Sequence, residues 1–131
     1  MQNRNLFVAI AATITLGITI SCNKEEADTE KPVITFSEPA MDDTLSLADG
    51  AVHIEFSLSD NDELHEVDVN VTNAGTNIFT KSAHIDASTY SFHEHFEPTG
   101  ITSVTLLTLK IDFSDHSDNS DSKTVTFYVK P

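Results

Sequence analysis

Apolar and polar residues alternate along most of the chain. Val52, Ile54, Phe56 and Leu58 point one way, and His53, Glu55, Ser57 and Ser59 the other, which is the pattern of a half-buried strand. Val67, Val69 and Val71 alternate with Glu66, Asp68 and Asn70, and Val125, Phe127 and Val129 with Thr124, Thr126 and Tyr128. The longest apolar stretch after the N-terminal segment lies in Ile101 to Phe113. There Leu107, Leu109, Ile111 and Phe113 share a side, with Val104 and Leu106 opposite, and a central strand is predicted. Weaker strands are expected at Lys31 to Phe36, closed by Glu38-Pro39, and at Leu45 to Leu47. Two more, Ile78 to Ala83 and Tyr90 to Phe96, flank a polar segment around Asp86-Ala87-Ser88. Turn chemistry falls at Ser59 to Glu63, Asn73 to Asn77, Glu97 to Gly100 and Asp115 to Asp121. No segment past residue 31 keeps a helical period, so about seven short strands predict an all-β, two-sheet antiparallel sandwich over residues 32–131.

The N-terminus breaks this pattern. A polar start with one positive charge, Arg4, leads into an apolar run from Leu6 to Ile20, interrupted only by Thr13, Thr15, Gly17 and Thr19. That is the layout of a secretory signal, too short and too rich in threonine for a membrane span. It ends at Ser21-Cys22, the chain's single cysteine. Thr19-Ile20-Ser21-Cys22 resembles the lipobox at which bacterial lipoproteins are cleaved and acylated on the new N-terminal cysteine, with Thr19 where a large aliphatic is usual. The resemblance implies a signal peptide over 1–21 and a palmitate-type lipid on Cys22. The following Lys24-Glu25-Glu26 resembles the lysine-plus-acidic signal that exports some Gram-negative lipoproteins to the cell surface, and it also reads as a solvated tether. The implied address is the outer membrane, on the cell surface or otherwise on its periplasmic face. Residues 22–31 carry charge and little apolar bulk, so a flexible acidic tether is expected there.

Charge narrows the partners. Removal of residues 1–21 takes away Arg4 and no acidic residue, leaving six basic against 21 acidic residues, a net charge of −15. Such a field repels nucleic acid and anionic lipid, and favours cations or basic protein patches. Without a cysteine after position 22 there is neither a disulfide nor a thiolate metal site, so stability must come from packing. About 100 residues suffice for one such core.

Two further stretches carry a family resemblance. Leu58-Ser59-Asp60-Asn61-Asp62-Glu63-Leu64 before one strand, and Leu109 to Asn119 before the last, resemble the corresponding parts of bacterial immunoglobulin-like and cadherin-like domains. Asp118 stands where those domains commonly have glycine. Together with the tether, the likeness is to an uncharacterised family of Gram-negative lipoproteins with one such domain. It implies an immunoglobulin-like β-sandwich and an address, and no activity.

Chemistry is sparser. Asp60, Asp62, Asp112, Asp115 and Asp118 lie in two acidic loops that an immunoglobulin-like order places at one end of the sandwich, where hard oxygen ligands suit Ca²⁺; ordinary solvated turns use the same residues. His93 and His95, two apart on a strand, share a face and form the alternative metal pair, for zinc, copper or nickel. His53, His65, His84 and His116 are scattered in sequence. Ser, His and Asp are plentiful, but no glycine-rich elbow accompanies them, so a small hydrolase is the weakest reading and no enzyme activity is expected. Asp43-Thr44-Leu45 resembles a bacterial O-glycan acceptor. The expectation is a lipid-anchored envelope module that meets a protein or glycan partner, with metal capture through His93 and His95 as the alternative.

Overall fold

A computed structural model describes residues 26–131 of the 131-residue chain. It contains six strands: β1 (Val33–Glu38), β2 (Thr44–Ser46), β3 (Val52–Asn73), β4 (Thr76–Phe96), β5 (Thr105–Asp115) and β6 (Ser120–Lys130). One 3₁₀ turn, Leu47–Asp49, follows β2. Among the described residues no helix is long and apolar enough to cross a membrane.

The long strands β3 and β4 organise the molecule. They form an antiparallel hairpin closed by Ala74 and Gly75, both at positive φ (48° and 81°), the two-residue turn whose twist matches that of paired strands. The first half of β3 pairs with β1 and the second with β5, while β4 follows it along both halves. The order β1-β3-β5-β6-β2 thus belongs to a continuous sheet that curls back on itself. Its two halves face each other as the layers of an all-β, immunoglobulin-like sandwich. The short β2 joins β6 in parallel.

Strand boundaries differ from the sequence expectation at two places. Ser59 to Glu63 was expected to separate two strands, and Asp86 to Ser88 two more; instead β3 and β4 run through both. The register shifts between Ser59 and Leu64, and again between Leu64 and Glu66. Bulges of this kind bend a strand without ending it, so turn-like composition bends the sheet there. Six strands therefore do the work of about seven.

The inward positions form one core. Val52, Ile54, Phe56 and Leu58 from β3 meet Val67, Val69 and Val71 further along it, with Leu107, Leu109 and Ile111 from β5 and Val125, Phe127 and Val129 from β6. Phe56 lies between Phe36 and Phe92 in register and stacks on Phe92 at 4.8 Å between ring centroids. Along one side of the sandwich, β4 lines both layers. Phe79 from its first half packs on Phe96 from its second at 5.0 Å, and Lys81 Nζ donates to Glu94 Oε1 at 2.5 Å. These contacts close that seam.

Candidate metal centre

The outward positions of the hairpin hold the histidines. His53 on β3 stands directly opposite His95 on β4, and Glu55 opposite His93. Alternation sends all three imidazoles to the outer face. The His53 and His95 rings stack at 4.0 Å, and His95 Nε2 lies 3.0 Å from His93 Nε2. One ring nitrogen from each of the three can be drawn within 4.8 Å of the others, and all three residues are exposed. Glu38 Oε2 lies 4.0 Å from His53 Nδ1, close enough to favour one ring orientation.

The other three histidines also converge. The bulge between Leu64 and Glu66 presents His65 beside His84 of β4 and His116 of the β5–β6 turn, with ring centroids 5.0 and 4.5 Å away. Asp86 Oδ1 lies 3.1 Å from both His84 Nε2 and His116 Nε2. All six histidines of the chain therefore belong to one of two clusters.

A third group is acidic. Asp115, 1% exposed, accepts from the Ser117 and Asn119 backbone N–H groups and from Asn119 Nδ2, which fixes the β5–β6 turn. Asp118 in that turn has φ of 66°, so aspartate takes the left-handed conformation that glycine commonly supplies. His116 N–H donates to the Glu63 carbonyl and ties this turn to the β3 bend. Asp60 belongs to that bend, and its Oδ1 accepts from the Asp62 N–H. Asp28, ahead of β1, comes to the same place: its carbonyl accepts from Asn119 Nδ2 and its Oδ1 from the Glu30 N–H. The Glu30 N–H, and after it the Asn61 side chain, hold the Asp28 carboxyl below the usual carboxylate range. Carboxylate oxygens of Asp28, Asp60 and Asp115 lie within 4.8 Å of one another, and Asp28 Oδ2 and Asp60 Oδ2 are buried without a hydrogen-bond partner.

Of the five acidic residues singled out in the sequence, Asp60 and Asp115 come together. Asp62 and Asp118 are exposed outside the group, and Asp112 turns to the outer face of β5, where Lys110 Nζ pairs with it at 2.7 Å. Asp28 was absent from that set because nothing in its neighbourhood signals a contact 91 residues away. His93 and His95 are adjacent as their spacing requires, whereas His53, His65, Asp86, His84 and His116 needed the strand register to be found. Cys22, Lys24 and Glu25, with the 1–21 segment, lie outside the described residues; Glu26 is exposed.

The fold defines an all-β, immunoglobulin-like domain carrying clustered imidazoles and carboxylates at its surface. The chain belongs to a family of domains of unknown function, DUF4625, whose profile matches residues 20–114. Nothing among curated proteins matches it. Four solved chains do. One similar structure is that of the periplasmic chaperone SfaE, 10% identical with a TM-score of 0.48, over 76% of this chain and 56% of the chaperone. This chain thus spans little more than half the chaperone's length.

Proposed function

We propose that the protein is a lipid-anchored envelope module that captures a divalent transition-metal ion through His53, His93 and His95, without catalysis of its own. The observation that carries this reading is the convergence of three exposed imidazoles on one face of the β3–β4 hairpin. Two nitrogens bound to one zinc ion at about 2.05 Å stand roughly 2.9 Å apart at a right angle and about 3.3 Å at the tetrahedral angle. The 3.0 Å between His93 and His95 Nε2 falls in that span. Three protein nitrogens leave a position for water or for a group on a partner. The anchor rests on Ser21-Cys22 at the end of the apolar run, and the surface address on Lys24-Glu25-Glu26. Two or three acyl chains give stable membrane attachment.

A second reading concerns calcium. Two buried carboxylate oxygens without partners, beside a third carboxylate, carry a desolvation and repulsion cost that Ca²⁺ would offset. Here Asp28, Asp60 and Asp115 are the ligands, and the ion pins the start of the domain to its loops.

The test uses the full chain extracted from membranes in detergent, without a polyhistidine tag, titrated with Zn²⁺ and Cu²⁺ by calorimetry. Saturable, stoichiometric binding that His53→Ala with His95→Ala reduces by one equivalent is expected. Weak uptake unchanged by that double substitution would leave the cluster as an ordinary row of surface side chains. In the same preparation Cys22→Ala should no longer enter the detergent-soluble membrane fraction.

A further inference from the structure

We propose a second, independent transition-metal site formed by His84, Asp86 and His116, with His65 supporting it. It differs from the first in donors and in the elements it joins. The first lies within one hairpin, whereas this one brings together the middle of β4 and the β5–β6 turn, beside the β3 bulge. Asp86 Oδ1 stands 3.1 Å from each of two imidazole nitrogens, and a ligand atom from each residue falls within 4.8 Å of the others. The 3.1 Å separations fit donors sharing a single ion at about 2.0–2.1 Å, and the exposed His84 and Asp86 side chains can rotate to close the wider spacing. A set of two imidazoles and one carboxylate suits Zn²⁺, Cu²⁺, Ni²⁺ or Co²⁺ rather than the all-oxygen shell of Ca²⁺ or Mg²⁺.

The surroundings support the assignment. His84 and Asp86 side chains are 60% and 67% exposed, so an ion arrives directly from solvent. The half-buried His65 ring packs against both other imidazoles, from 5.0 Å against His84 and 4.5 Å against His116, and limits the orientations they can take. The His116 backbone is itself held, through its N–H on the Glu63 carbonyl. Asp86 supplies one negative charge against the ion's two.

The experiment is a titration of the untagged full chain with Zn²⁺, and with Co²⁺ read by its visible absorption, at about pH 7.5. Wild type is compared with His53→Ala/His95→Ala, with His84→Ala/His116→Ala, with all four substitutions together, and with Asp86→Asn. The expected stoichiometries are two ions for wild type, one for each double variant and none for the quadruple. Asp86→Asn keeps the size of an exposed side chain and removes its charge. It should weaken one of the two equivalents by about tenfold or more, since even changes behind the first ligand layer reach that size. If wild type binds a single ion that only the His84/His116 pair controls, the reading of the first cluster fails while this one stands. If His84→Ala/His116→Ala and Asp86→Asn both bind as wild type does, the second site is overturned, and Asp86 simply accepts hydrogen bonds from two histidines.

Discussion

The same two strands, β3 and β4, carry two surfaces of opposite character. Their inward side holds Val52, Ile54, Phe56, Phe92 and Phe96, all buried, and the outward side holds His53, His93 and His95, all exposed. Inward residues find a place by shared insolubility and tolerate many partners; outward residues meet only the side chain that register sets beside them. The interior is thus fixed by pattern, and the histidine face by alignment.

The sharpest way to separate the two surfaces is to truncate one side chain on each. Phe56→Ala leaves a void between Phe36 and Phe92 and should destabilise the domain by about 3–5 kcal/mol. Its neighbour His53→Ala should stay within about 0.5 kcal/mol in metal-free buffer. Urea denaturation followed by circular dichroism measures both. Comparable losses would mean that the histidine face is part of the packing.

The end where both surfaces meet the acidic loops gives the next test. Calcium at a hundredfold excess over its dissociation constant should raise stability by about 2.7 kcal/mol, through a site that the unfolded chain lacks. NaCl at matched ionic strength should not reproduce the effect, and Asp60→Asn should abolish it. Superimposable melting curves with calcium, chelator and NaCl would leave Asp28, Asp60 and Asp115 as part of an ordinary turn.

The smallest effect is expected at the seam. The hydrogen bond to Glu94, reinforced by its charge, raises the Lys81 pKa. A raised lysine contributes stability below its unfolded value of about 10.4, and that contribution is lost as pH rises through the folded value. Wild type should therefore lose its small advantage over Lys81→Met in melting temperature as pH climbs from about 8 to about 11. A gap that stayed constant across that range would assign the effect to side-chain packing alone.

The two surfaces also differ in how far they could be read from the chain. Alternation marked Val67, Val69, Val71, Leu107, Leu109, Ile111, Val125, Phe127 and Val129 as inward, and all are buried, while Val104 and Leu106 remain 62% and 46% exposed. The site was legible only in the local pair His93 and His95. Asn73 opposite Thr76 starts the hairpin register, and an uninterrupted ladder would put His53 opposite Phe96. Irregularities at Val71/Thr72 and between Ser59 and Glu66 move it to His95. Composition suggests where a strand bends but not by how many residues it slips, so His53 and His65 could not be assigned neighbours. Asp115 was visible as an acidic loop residue, but its burial depends on Asn119 and on the chain ahead of β1.

If Cys22 carries a lipid as proposed, the hold of Asn119 on the Asp28 carbonyl would give the domain a polarity relative to the membrane. Six residue steps lead from Cys22 to Asp28, a reach of no more than about 20 Å even when fully extended. With an acyl chain on Cys22, the β5–β6 turn would become the lower pole, with His116 above the headgroups. His53, seven residues along β3 from Asp60, lies roughly 23 Å from that bend. That is two to three screening lengths in physiological salt. The lower cluster would then face the headgroup layer and the upper one the open solution, so a single small domain would meet two different ionic climates at once.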